Sequence, residues 1–478
     1  MQNFGTVTVL TALVWNQGAL LAADVVAVPL KPNDVYSAQS TEKLDGHIDF
    51  KDPKSDKTER MKYRGERKSR YIERVLASKT ADEDIPERVL RTIETLDSKR
   101  KMGDSDQVGF ELRDEAKHVV LHRGEAFSKP FSLRGPLKQE EIHSLSHLVF
   151  VPALNGLLPK GPLKQGAQWT ANKRAVAQLA GMVPLESGDL SCTVKDMNFN
   201  YNGSLLVQIE FKGVLIGMSE EGRVSDDVSG SLYLDRQTGK IHSLTVEGPR
   251  TMHDEKNNVV GKLEMEYRLA VRYPTPPPEL DDKTAAEAAK DPTPEQTAVL
   301  YEFPPCAVKL VHPRTWILSS AKGTQLSFLH GRTDNQLMMN FHKDDETPSV
   351  DAYHEEVVDS LKREKFQNVV WTIPPKEQAK GEKGTADFRR IGRFEATAEN
   401  NGQWRMRYWV WQKGRRGVTL GVYLHSNAAQ NGNLADDAYT ILQNLTFTGD
   451  RNPFFVKGNP PPQKGDQPAD KAGSDAKK

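Results

Sequence analysis

The sequence predicts an α+β protein in two parts. The N-terminal part is an antiparallel β-rich half-barrel or curved sheet with one or two helices. A Pro-rich linker leads to a C-terminal antiparallel sheet flanked by helices. Three observations carry this. The stretch YPTPPPELDDKTAAEAAKDPTP, Tyr273 to Pro294, holds six prolines and almost nothing to bury, so it reads as a boundary. Upstream of it, apolar and polar residues alternate with period two, as strands require. Downstream, shorter alternating runs are interleaved with two stripes of helical period.

A chain of 478 residues is too long for one ordinary core and suggests two or three domains. The expected division is a signal peptide at 1–23, a β-rich exported domain at 43–273, a Pro/Ala-rich linker at 274–300, an α+β domain at 301–449 and a disordered tail at 456–478. Phe4 to Ala23 is uncharged and mostly apolar, and Ala19, Ala22 and Ala23 supply small residues for cleavage, which predicts export to the periplasm or the medium. A retained membrane anchor is the alternative, since ~20 apolar residues span a bilayer. Sixty-five basic and 65 acidic residues cancel, so nothing draws the chain as a whole to nucleic acid. Cys192 and Cys306 lie on opposite sides of the linker with no CxxC or Cys/His cluster, and read as unpaired, buried small hydrophobes.

In the upstream part, Arg60, Lys62, Arg64, Lys68, Arg70 and Arg74 share one parity of a strand. Glu59, Glu66 and Glu73 interleave with them, so the segment reads as a solvated sheet face rather than a polyanion site. LYLDRQTGKIHSLTV is a hairpin whose turn runs from Asp235 to Gly239, with Gly239 free to take positive φ. A helix is expected at Leu137–Val149 and a second at Ala175–Ala180. The residues Leu157–Pro159, Gly166, Trp169 and Asp235–Ile241 resemble those of exported bacterial β-rich domains and, more distantly, of the half-barrel of LolA-like lipoprotein carriers. A carrier of a lipid or other apolar ligand predicts a continuous cavity lined by residues such as Val207, Ile209, Phe211, Leu232 and Leu234, whereas a scaffold predicts that those side chains meet a helix and leave no void.

In the downstream part, AVKLVHPRTWILSS gives two short strands about a turn. A helix follows with Thr347 as its cap and Pro348 at its first position, carrying Val350, Tyr353, Val357 and Leu361 on one stripe. Three long strands come next, and a final helix opens at Asn433. This order of elements, with Pro313 to Trp316 as a "Pro, x, x, Trp" start, resembles the PsbP-like fold. The resemblance implies binding or assembly rather than catalysis.

The chemistry-bearing patterns are sparse. His143 and His147 sit four apart on the first predicted helix, with Glu140 a turn earlier, which is a metal-ligand spacing without the glutamate that a zincin places after its first histidine. His118 and His122 share one strand face and have no recognisable nucleophile partner. Ser319–Lys322 matches SxxK, but Lys322-Gly323-Thr324 follows at once in the same loop, where serine acyl-transferases separate the two motifs. QWRMRYWVWQ puts Arg405, Arg407, Trp409 and Trp411 on one strand face, two cations beside two indoles, and so makes the candidate binding surface. The alternative is that helices cover both faces of that sheet. The functional expectation is a non-catalytic, cofactor-free binding or assembly protein of the cell envelope, acting on an unknown protein or an apolar small molecule. A lipid carrier is the first alternative and a metal-dependent hydrolase using His143 and His147 the second.

Overall fold

The structure, a computed structural model, describes residues 25–51, 57–76, 86–105, 107–124, 128–219, 222–331, 333, 335–383, 385–425, 434–449 and 451–455. The expected signal peptide and tail lie outside these residues. The protein is a β-rich fold of open sheets. Among the described residues no helix is long and apolar enough to cross a membrane.

The elements that build the site are, in chain order, β1 (Val35–Lys51), β2 (Thr58–Val75), β3 (Arg88–Met102), β4 (Val108–Glu111), α1 (Gln139–Ser146), α2 (Lys173–Ala180), β5 (Gly222–Asp235), β6 (Ile241–His253) and β7 (Val259–Arg272). They belong to a thirteen-stranded sheet in which every pairing is antiparallel. Its centre runs β5–β6–β7–β1–β2–β3, so the first long strand is inserted between β7 and β2. Backbones approach very closely at several glycines of this sheet, Gly46 and Gly248 among them. A Cβ at Gly46 would lie 2.1 Å from the Lys262 carbonyl oxygen, and one at Gly248 (φ +142°) 2.0 Å from that of Asp227. Such positions let long strands bend and coil.

One face of this sheet is dry at one end. Tyr36, Tyr71, Val75, Val89, Leu234, Ile241 and Val271 pack there with Leu145 of α1, with Val151, Leu154 and Leu157 of a 3-10 segment, and with Ala175 and Val176 of α2. α1 is shorter than the periodicity predicts because Leu137–Lys138 is used as a strand, pairing in parallel with Val299–Leu300. α2 is longer, capped by the Asn172 side chain on the Arg174 amide and closed by Gly181 at φ +65°, which fits the usual cap preferences.

The 274–300 segment docks where its composition predicts a solvated spacer. Pro278–Leu280 forms a turn and α3 (Asp282–Ala288) follows it. Leu280, Ala285 and Ala288 are buried against Leu76, Leu90, Val120 and Phe131 on the opposite face of the large sheet. Arg74 donates to the Leu280 carbonyl at 2.9 Å and to Asp282 at 2.6 Å; Arg88 donates to the Ala289 and Lys290 carbonyls and to Asp291 at 3.0–3.1 Å. Alanines on one side of a short helix give enough apolar surface once two arginines fix its ends.

Downstream, a seven-stranded antiparallel sheet is covered on both sides. α4 (Val350–Arg363) packs Val350, Tyr353, Val357 and Leu361 on Phe394, Met406 and Tyr408. α5 (Leu434–Gln443) packs Ala438, Ile441 and Leu442 on the other face, against Trp409, Val418 and Leu420. The cap of α4 is Ser349, whose hydroxyl accepts from the Ala352 amide; the expected cap Thr347 and Pro348 precede it, their carbonyls held by Arg390. A four-stranded sheet joins Leu137–Lys138 to Val299–Phe303, Val308–His312 and Thr446–Phe447. Across it Lys138 pairs with Glu302 at 2.6 Å, and Arg314 donates to the Pro130 carbonyl at 2.6 Å. Both cysteines are free and buried, and burial pushes each thiol up to about 11.

Candidate functional site

The inner face of the large sheet is longer than the helices that cover it. On β1 the inward residues run Tyr36, Ala38 and Ser40, all buried, and then Glu42, Leu44 and Ile48, which are half-open. Leu263, Met265 and Tyr267 of β7 and Val246 and Met252 of β6 continue the same wall, and Tyr63 of β2 with Phe110 of β4 form its other side. His143 and His147 of α1, Leu148–Phe150 and Leu179–Gly181 face them. The result is a trough of about 720 Å³, within the range of pockets that hold small ligands. At its outer end the apolar residues Phe50, Met102, Val108 and Val259 are exposed.

Polar contacts fix the helical wall. Arg67 pairs with Glu42 at 3.2 Å and donates to the His147 carbonyl at 3.3 Å. Arg250 pairs with the buried Asp226 at 2.7 Å and donates to the Ala180 carbonyl at 3.1 Å. Glu141 binds Arg113 at 2.6 Å and accepts from the Lys138 amide at 2.8 Å, closing the start of α1.

A buried charge pair lies under the deep end. Glu73 accepts from Arg91 Nε on one carboxyl oxygen and from the Tyr36 hydroxyl on the other. The Arg91 guanidinium lies 3.8 Å from the centre of the Tyr71 ring. Arg91 and Tyr71 both donate to the Val149 carbonyl at 3.4 Å, in the loop that floors the trough. Burial opposes the charge on Arg91, and the Glu73 carboxylate together with Tyr71 and Tyr36 outweighs it, so the guanidinium pKa is raised. Glu73 therefore does not belong to the solvated basic face on which the sequence analysis places it. It is on the opposite parity, fully buried, because β2 turns Tyr71, Glu73 and Val75 inward.

The sequence-based candidates fall in different places. Val207, Ile209, Phe211, Leu232 and Leu234, the expected cavity lining, are buried in the dry core; the open part of the face is further along, on β1, β2, β6 and β7. His143 and His147 do line the trough, with ring centres 4.2 Å apart and His147 Nδ1 donating to the His143 carbonyl at 2.7 Å. Among the described residues no three His, Cys, Asp or Glu side chains are grouped to hold a metal ion. His118 Nδ1 lies 3.1 Å from the Thr92 hydroxyl, and burial lowers its pKa. Ser319 donates to the Ser327 carbonyl within its own hairpin.

The Arg405–Trp411 face shows the expected parity, but α5 covers its centre while Arg405 stays exposed. Trp409 is in the core, and Trp411 is partly buried and packs on Phe447 with ring centres 5.6 Å apart. Arg405 and Arg407, both on β8 (Gln403–Lys413), bind Glu395 at 3.2 and 3.1 Å, and Arg407 also reaches Asp436 of α5 at 3.7 Å.

No protein-family model matches the sequence, and no curated protein matches it. Among solved structures, 31% of the chain is similar to 95% of the Ran-binding protein Mog1p of Saccharomyces cerevisiae, at 9% identity and a TM-score of 0.23. The same share is similar to 92% of cyanobacterial PsbP (CyanoP) from Synechocystis sp. PCC 6803, at 10% identity and a TM-score of 0.23. A third likeness spans 83% of the chain and 98% of OccK11 (OpdR) of Pseudomonas aeruginosa, at 9% identity and a TM-score of 0.13. The resemblance to LolA-like carriers gains no support from these comparisons. At such TM-scores they amount to weak fold similarity, and no conclusion about function follows from them.

Proposed function

We propose that the protein is a non-catalytic, exported binding protein of the cell envelope, and that it holds the apolar chain of a small amphiphile in the trough beside α1. In this reading the upstream sheet is a half-barrel carrying the ligand. The downstream part is a separate α+β domain of PsbP-like type, joined to it through the four-stranded sheet, that presents the carrier to a partner. The observation that carries the reading is the trough: half-open Leu44, Ile48, Met252, Met265 and Tyr267 continue the face of a dry core, and a volume of about 720 Å³ is left uncovered. Burying a chain there removes apolar surface of both partners from water, worth roughly 25 cal/mol per Å².

Native mass spectrometry of the full-length protein purified from its own host, followed by solvent extraction, tests this. A reproducible apolar mass is expected. A second measurement uses uptake of an uncharged naphthylamine dye that fluoresces in apolar sites. Met265→Arg, which sets a charge in the trough wall, abolishes uptake on this reading. A clean apo-mass together with unchanged dye uptake by that variant would refute it.

A further inference from the structure

We propose that the ligand of the trough ends in a carboxylate, and that Arg100 holds it. The inference rests on the reading of the trough as a site for an apolar chain. The chain enters from the end where Phe50 and Met102 are exposed and runs towards Leu148.

The charged residues around the trough decide this. Glu42 is bound by Arg67 at 3.2 Å, Glu66 by Lys68 at 3.0 Å, Lys99 by Asp97 at 2.8 Å and Arg250 by Asp226 at 2.7 Å. Those charges are already compensated. Arg100 differs: among the described residues its side chain has no ion-pair or hydrogen-bond partner. Glu140, exposed in the first turn of α1, is the other lining charge without an ion pair among the described residues.

Register places Arg100 on the inner face. It is opposite Gly65 on β2 and Val108 on β4, and Met102, the next inward residue of β3, is opposite Tyr63. A Cβ at Gly65 would lie 3.3 Å from the Tyr63 ring, so that ring packs over the glycine opposite Arg100. The guanidinium thus stands near the outer end of an apolar trough, between aliphatic and aromatic surface. A guanidinium matches a carboxylate with two parallel donors, and a charge-assisted bond of this kind is among the stronger ones available to a ligand. The apolar run from Tyr63 to Leu148 then takes the tail.

The test uses the full-length protein and displacement of the naphthylamine dye by palmitic acid and by the alcohol of equal chain length. Wild-type protein is expected to prefer the acid by about tenfold or more. Arg100→Gln removes that preference by weakening the acid alone; Arg100 is exposed, so the variant keeps its fold, which a melting curve checks. Equal binding of acid and alcohol by wild-type protein overturns the role of Arg100 and leaves the trough as a chain site. A preference that survives Arg100→Gln overturns it equally. If neither compound displaces the dye, the reading of the trough itself fails and this inference falls with it.

Discussion

Removing the Glu73 carboxylate is the sharpest test of how the deep end is built. Glu73 and Arg91 are both fully excluded from water. Glu73→Leu leaves the Arg91 charge buried with no counter-charge and strips the Tyr36 hydroxyl of its acceptor. Breaking a buried pair from one side costs about 3–5 kcal/mol, a large share of the ~5–15 kcal/mol that holds a domain together. At roughly 2–4 °C per kcal/mol for a domain of this size, the melting midpoint should drop by about 6–20 °C. Arg91→Met in the same chain removes the stranded charge, and the double variant should regain most of the loss, since apolar replacements of buried pairs are often neutral or better. The assay is a double-mutant cycle in guanidinium, followed by tryptophan fluorescence and checked by calorimetry. Because Arg91 also holds the Val149 carbonyl, dye affinity should fall in Glu73→Leu as the floor of the trough loosens. A loss below about 1 kcal/mol for Glu73→Leu, or a double variant that loses the sum of the two single losses, would show that the pair does not carry the load assigned to it.

Other expectations follow from the same geometry. Affinity for fatty acids should rise about tenfold or slightly more for each two added methylenes, at ~0.8 kcal/mol per methylene, and level off once the trough is full; affinities independent of chain length exclude burial of the tail. Glu302 is pulled down to about 2 by its hydrogen bonds to Lys138 and Lys309. A lowered carboxyl pKa stabilises above its unfolded value and loses that contribution as pH falls towards the folded one. Hydrogen-exchange protection at Leu137–Lys138 and Val299–Phe303 should therefore weaken between pH ~4.5 and ~2, and Glu302→Gln should flatten that part of the profile; a variant that titrates like wild type removes Glu302 from the junction. Cys192 and Cys306, with thiols near 11, should resist an aromatic disulfide reagent until the protein unfolds, because the thiolate is the reactive form; stoichiometric labelling of native protein contradicts their burial.

What the sequence could reveal divides along a physical line. Alternation fixes which side chains share a face, so the Asp235–Gly239 hairpin, the stripe of α4 and the parity of Trp409 were all legible. Alternation does not say what covers a face. Trp409 could be read either as a ligand surface or as core beneath a helix, because nothing local encodes the arrival of α5. Glu73 looked like surface because its partner Arg91 is 18 residues away on another strand. The 274–300 segment looked like a spacer because alanines are poor evidence of burial until two arginines from distant strands grip the ends of their helix.

The trough had a signal that strand periodicity alone does not use: a mismatch of lengths. β1 has 17 residues, about 56 Å at ~3.3 Å each. The helices available to cover its inner face, α1 and α2, have 8 residues each, about 12 Å at 1.5 Å per residue. Even end to end, with the 3-10 segment between them, they cannot shield the inner face of six such strands. Part of that face had to remain open, and the residues left there include Leu44, Ile48 and Met265 rather than charges alone. A polar end would need no further explanation, since water satisfies it. An apolar one is lined by half-open side chains, and the exposed Phe50, Met102 and Val108 extend the same surface to solvent. On the proposed function, the apolar chain of a ligand covers the surface that the protein's own helices leave open.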